Sequence, residues 1–286
     1  MTKVTFGYIV AGNDKYYVNL LRSLKSLEER VKGPYEVLII DMDNKFYSDE
    51  SNIKIVNDTA EEIKNLDDPR NWFQPHVWAK RYELYKYLET DYCFYLDVDT
   101  VLINDRTEEL IEESDNKFML AQHWWVPTLQ SFLDSVNPDI SRIKSFFPSD
   151  PQTYFYGASG AFLFKKDYHD NIFEKFQQIY KSVFSNGYNP KDVSDELILC
   201  LSFNQFDNWK FTNGAFNHTA YPKLMPLKRE NNLWMGKNPY ENKYEPVFVF
   251  HSSHENVHTL ESEYLDDIKK EMYWKEYHQK YGDLIK

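Results

Sequence analysis

One stretch, residues 91–103 (DYCFYLDVDTVLI), constrains the fold of this chain more than any other. Cys93, Phe94, Tyr95 and Leu96 form a short apolar, aromatic run of strong strand preference, preceded by a helical pattern. The run stops at Asp97-Val98-Asp99, and apolar residues resume at Val101, Leu102 and Ile103. A buried strand that delivers carboxylates at its carboxyl end matches the place where open α/β sheets bind ligands. Residues i and i+2 of an extended strand share a face, so Asp97 and Asp99 can converge on one point. Two like charges that close are unfavourable unless a cation lies between them or one is protonated. A hard divalent cation that also holds phosphate oxygens fits such a pair. A solvated acidic turn is the competing reading, and the apolar strand leading into the pair favours the cation.

The residues before this stretch read as strand, turn, helix, strand. Residues 4–11 (VTFGYIVA) predict a first strand and Gly12-Asn13-Asp14 a turn. Val18, Leu20, Leu21, Leu24 and Leu27 then follow a helical period. Gly33-Pro34 breaks the chain, residues 35–40 predict a second strand ending at Asp41, and residues 53–56 a third. This opening argues for a Rossmann-like α/β half. No G-x-G-x-x-G follows the first strand, so a nicotinamide or flavin cofactor is not indicated.

Composition sets limits on partners. The formal net charge of −12 disfavours a nucleic-acid backbone or an anionic membrane. An acidic protein that binds an anionic nucleotide needs a metal or local basic residues. The two cysteines, Cys93 on the predicted strand and Cys200 in a predicted helix, lack metal-type spacing and read as buried free thiols. No stretch reads as a signal peptide or is long and apolar enough to cross a bilayer, so a cytoplasmic protein is expected.

The YLDVDT sequence resembles the DxD motif of nucleotide-sugar-dependent glycosyltransferases of the GT-A fold. The opening, IVAGNDKYY and LLRSLKSL, is similar to glycosyltransferase family 8. The resemblance implies a single domain over residues 1–286, a GT-A-type Rossmann-like α/β/α sandwich with a mixed central sheet. A nucleotide-binding half would cover about 1–104, an acceptor and catalytic half about 105–260, and a C-terminal helix about 260–281. It further implies transfer of a hexose from a nucleotide diphosphate sugar, a UDP-sugar, to a carbohydrate acceptor, with Mn2+ or Mg2+ held by Asp97 and Asp99. On the same resemblance Tyr8, Val10, Ala11 and Asn13 cradle the nucleoside, and Val98 lies against the donor. A basic residue on the helix within residues 72–88, Lys80 or Arg81, reaches the donor phosphates.

Later segments extend the resemblance. Residues 116–121 predict a strand running into His123-Trp124-Trp125, which with the Pro-rich segment after it suits an acceptor-site wall. Residues 154–164 (YFYGASGAFLF) place Gly157, Ala158, Ser159 and Gly160 inside an aromatic strand, where small residues permit close approach of a ligand. The run resembles the small-residue strand of families 8 and 6, and a helix over 172–184 follows it. Asp195-Glu196 opens a helix; acidic residues are favoured at a helix N-terminus, while in family 6 a similar pair lies beside the anomeric carbon. A late strand, residues 247–250, ends at His251, which resembles the third metal ligand of family 8, with His254 as the alternative and His258 beyond. The Gly and Lys that follow that ligand in the family are absent here.

Two further readings stay open. A sugar-phosphate nucleotidyltransferase shares the architecture, but its Gly-rich basic loop after the first strand is missing. A non-catalytic sugar- or nucleotide-binding module of the same fold is the other.

Overall fold

The central strands are buried almost throughout, and because successive side chains point to opposite sides, the core divides between two faces of one sheet. The computed structural model describes residues 2–12, 14–58, 77, 80–123, 126–136, 141, 144–152, 154–168, 170–184, 195–204, 208–212, 216–219, 227–238 and 242–251. Along the chain, β1 (Val4–Val10), α1 (Asp14–Arg30), β2 (Tyr35–Asp41) and β3 (Ile53–Asn57) come first. A 3-10 segment at Arg81–Tyr87 leads to β4 (Tyr92–Leu96), β5 (Thr100–Leu102), α2 (Thr107–Ser114), β6 (Phe118–Gln122) and α3 (Leu129–Val136). Then come β7 (Gly157–Lys165), α4 (Asp170–Phe184), α5 (Asp195–Phe203), β8 (Trp209–Thr212) and β9 (Asn217–Thr219). The described part ends with β10 (Leu227–Glu230), β11 (Leu233–Asn238), β12 (Lys243–Pro246) and β13 (Val249–His251).

The central sheet has seven strands in the order β3-β2-β1-β4-β7-β6-β8. All its pairings are parallel except those of β7 with β4 and β6, so the sheet is mixed, as expected. On β4, Cys93 and Tyr95 pack on one face with Tyr82, Phe162, Phe173 and Phe176, under α4 and α5. Phe94 and Leu96 pack on the other with Phe6, Leu20, Leu21 and Leu110, under α1 and α2. Helices on both faces are what a largely parallel sheet requires. Both cysteines are buried and free.

Asp41, at the end of β2, is fully buried and accepts hydrogen bonds from the Tyr17 hydroxyl (2.7 Å) and the Phe46 amide (2.6 Å). A buried carboxylate so satisfied fixes the loop beyond β2 against α1. Two three-stranded sheets flank the main one: β10-β11-β12, and β5-β13-β9. Asn104 ties the first to the body, donating to the Trp234 carbonyl (2.8 Å) and accepting from the Trp234 amide (3.0 Å).

The structure departs from the expected pattern at residues 81–87, a 3-10 segment where an amphipathic α-helix is predicted. The tighter turn brings Arg81 and Leu84 onto one side, and both are buried. Tyr82 wedges beside Phe176, ring centroids 3.7 Å apart, and stacks on Phe162 at 5.9 Å. The predicted C-terminal helix at 260–281 lies outside the described residues. Among the described residues no helix is long and apolar enough to cross a membrane.

Candidate active site

The carboxyl end of β4 is held by backbone bonds before any side chain is considered. The Asp97 amide donates to the Gly160 carbonyl on β7 (2.8 Å), and the Thr100 amide turns back to the Asp97 carbonyl (3.0 Å). This turn starts β5, whose Thr100 pairs with His251 on β13. Strand pairing thus delivers the late histidine to the paired aspartates. His251 Nε2 lies 3.1 Å from Asp99 Oδ1 and 3.8 Å from Asp97 Oδ2. One ligand atom from each of Asp97, Asp99 and His251 lies within 4.8 Å of the others.

A second carboxylate pair sits beside this cluster. Asp195 and Glu196 occupy the first turn of α5. Ser159 on β7 meets both: its hydroxyl donates to Asp195 Oδ2 (2.9 Å), its amide to Glu196 Oε1 (3.3 Å). Arg81 joins the two acidic groups, with Nη1 2.9 Å from Asp195 Oδ2 and 4.0 Å from Asp97 Oδ1. It also donates to the Ser159 carbonyl (3.4 Å), and the Tyr95 hydroxyl donates to Asp97. His123 Nε2 stands 3.8 Å from the outer oxygen of Glu196.

These contacts set the charge states. Burial, followed by the neighbouring Asp195 charge, pushes the Glu196 carboxyl up to about 8. Burial alone would push His251 down, but Asp99, Asp97 and Glu196 together raise it to about 9. Burial also opposes ionisation of Asp99, yet the His251 charge, its hydrogen bond and Arg22 bring it below the usual carboxylate range. Asp97 goes the other way: burial holds it above that range despite Arg81 and His251. His123, buried beside Tyr156, falls to about 4 and is neutral at physiological pH. Asp97, Asp99 and His251 therefore share charge as a unit, as a set of cation ligands would.

The predicted residues do not all gather here. Arg81 faces the site, whereas Lys80 turns to Asp58 (2.6 Å) and Glu83 (3.2 Å). Ser159 touches both catalytic candidates, while Gly157 faces Leu120 and Phe211 in the core and Ala158 is buried opposite Ala121. Tyr8 is fully buried with its hydroxyl on Ser23 (2.9 Å), and Val10 is buried in the same core cluster, which also holds Leu96 at the end of β4. Ala11 and Val98 are partly buried at strand ends. Asn13, Trp124, Trp125, His254 and His258 lie outside the described residues. Arg22 was missed: it is buried on α1 and adds positive charge to the surroundings of Asp99. Its signal is a charge four residues after Val18, on the helix face that the apolar pattern turns inward.

No family model matches the sequence, and no curated protein matches it. Solved structures do. A crystal structure of the galactosyltransferase LgtC in complex with donor and acceptor sugar analogs superimposes with a TM-score of 0.61 at 16% identity, covering 97% of this chain and 99% of that one. An active-site mutant of LgtC gives 0.59 at 14% identity, covering 94% of each chain. At these identities the likeness shows the fold, and the chain has the GT-A fold expected from its sequence.

Proposed function

We propose that the chain is a metal-dependent glycosyltransferase that moves a hexose from a UDP-sugar to a carbohydrate hydroxyl with retention of configuration. The observation that carries this reading is the convergence of Asp97, Asp99 and His251 at the end of β4, one buried arginine away from the Asp195–Glu196 pair. The donor set, two carboxylate oxygens and an imidazole nitrogen, fits Mn2+ and also accommodates Mg2+. Bound there, such an ion supplies Lewis-acid stabilisation of a leaving diphosphate. The similar LgtC structure, solved with donor and acceptor sugar analogs, supports sugar substrates for this fold.

The two acidic groups of α5 differ in their engagement. Asp195 Oδ2 is pinned by Ser159 and Arg81, both at 2.9 Å, which suits an orienting role. Glu196 is held by one amide at 3.3 Å, which leaves it the freer of the two to react. With its pKa raised to about 8 it must first lose its proton, which a cation bound nearby would favour. In its ionised form Glu196 attacks the anomeric carbon as the bond to the diphosphate oxygen breaks. The acceptor hydroxyl then displaces Glu196 and gives its proton to the departed diphosphate. Two inversions return the original configuration. Two buried free cysteines fit a reducing, cytoplasmic setting.

The test is the melting temperature with UDP, with and without Mn2+, on wild type and Asp99→Asn. Ligand at a hundredfold its dissociation constant adds about 2.7 kcal/mol, a shift of several degrees for a chain of this size. A shift that needs both UDP and Mn2+ and disappears in the variant supports the donor site. No shift with UDP, nor with GDP in its place, would end the glycosyltransferase reading.

A further inference from the structure

The pairing of β7 with β6 slips between Leu120 and Ala121: Leu120 faces Phe162, but Ala121 faces Ala158. Residues 159–161 therefore bulge out of the β6 ladder while β4 still pairs with Ala161. Bulges next to active sites re-aim side chains. Here Ser159 is turned onto Asp195 and Glu196, and Gly160 is brought against the histidine from β13.

Gly160 leaves a space that His251 fills. A Cβ at Gly160 would lie 2.2 Å from His251 Cε1, 2.3 Å from His251 Nδ1 and 3.2 Å from Asp97 Oδ2. The first two separations are impossible for real atoms, so the imidazole and a side chain at 160 exclude each other. Its φ lies outside the left-handed region, so alanine is compatible with the backbone. The ring is the main obstacle, and the 3.2 Å approach to Asp97 Oδ2 is a lesser one that a small shift relieves. The backbone carbonyl of the same residue holds the Asp97 amide at 2.8 Å. Gly160 thus fixes one ligand through its main chain and makes room for another through its missing side chain.

We propose that Gly160 is the positioning residue of the cation site: the bulge in β7 places it so that its lack of a Cβ seats His251 against Asp97 and Asp99. This deepens the metal-dependent reading and rests on it, although the steric part stands alone. Gly157, two residues before the bulge and paired with Gln122 on β6, serves as the contrast. Its Cβ would meet Leu120 at 2.3 Å, a core packing conflict with no cation ligand involved.

The experiment compares wild type, Gly160→Ala, His251→Ala, the Gly160→Ala/His251→Ala double variant, and Gly157→Ala with and without His251→Ala. Mn2+ alone is the probe, titrated by electron paramagnetic resonance, and melting temperatures are taken without metal. Gly160→Ala is expected to weaken Mn2+ binding by about 10–100-fold, as loss of ligand positioning does. Its lowering of the melting temperature is expected to shrink to a small remainder in the His251→Ala background, because the colliding ring is gone and only the Asp97 contact persists. The penalty of Gly157→Ala is expected to persist there. If Gly160→Ala is too unstable to titrate, a double variant that melts close to His251→Ala alone supports the seat. Mn2+ binding by Gly160→Ala equal to wild type, or a Gly160→Ala penalty undiminished by His251→Ala, would overturn the proposal. If wild type takes up no Mn2+ while the His251-dependent penalty remains, the seat is upheld and the metal-dependent reading is what fails.

Discussion

Arg81, buried, and Asp195, partly buried, form an ion pair, Nη1 to Oδ2 2.9 Å, between the 3-10 segment that precedes β4 and the first turn of α5. The desolvation of Arg81 is offset by Tyr95, Asp195 and Asp97, which keep its pKa above the ordinary guanidinium value. Its charge is engaged within the protein, so its first role is to hold the two acidic groups in place.

Removing one member of a buried pair costs about 3–5 kcal/mol, because the other charge is left without compensation. Arg81→Met is therefore expected to destabilise the protein by that order, measured by urea denaturation. Arg81→Met/Asp195→Asn should cost clearly less than the sum of the single variants. Additive losses would mean that the pair is not coupled.

Lys80 provides the neighbouring control. Its partners are Asp58 and Glu83, away from the carboxylate cluster. Lys80→Ala should change stability by no more than about 1 kcal/mol and leave the donor KM and kcat close to wild type. A large rise in donor KM in this variant would restore Lys80 as a phosphate-binding residue.

The cation site should release a proton when it fills. Without metal His251 is raised to about 9 and carries a proton at neutral pH, shared against Asp99. A metal ligand must be the neutral imidazole, so Mn2+ affinity is expected to rise as pH rises towards 9, by up to about tenfold per unit. Titration calorimetry at pH 7 in two buffers of different ionisation enthalpy would measure the proton count. A value near one is expected, and near zero would exclude His251 from the ligand set.

Much of this site could be read from residue types at strand ends, and the reasons for the gaps are physical. The convergence of Asp97, Asp99 and His251 was legible because apolar strands that stop at such residues deliver them to the edge of the sheet. Arg81 could not be separated from Lys80, because adjacent residues differ only in direction, and the 3-10 turn fixed that. Tyr8 is the other kind of case: the strand period places it with Phe6 and Val10 on one core face, as found, whereas its expected place beside a nucleoside rests on the resemblance alone. The three strands β10–β12 carry little apolar alternation, with sequences such as LKRE and KYEP, and passed unread. The distinct tasks of Gly157 and Gly160 depend on a bulge that no local pattern announces.

Glu196 gives the site a pH signature in stability as well as in activity. Its folded pKa is about 8 against an ordinary value of 4.5, from burial first and Asp195 second, while the Ser159 amide, His251 and Arg81 act the other way. Between those values the unfolded chain gives up a proton that the folded chain keeps, so folding stability falls as pH rises from about 4.5 to 8. His251 adds a fall of the same sign from about 6.5 to 9, and His123, depressed to about 4, makes stability fall as pH drops below 6.5. Comparing two proteins isolates the first contribution. Glu196→Gln has no proton to lose, so in EDTA its melting temperature is expected to gain on that of wild type by a few degrees between pH 5 and 8. The same variant should keep UDP and Mn2+ binding and lose turnover. Parallel melting curves across that range would show that Glu196 is ionised in the folded protein, and retained turnover would remove it from the reaction.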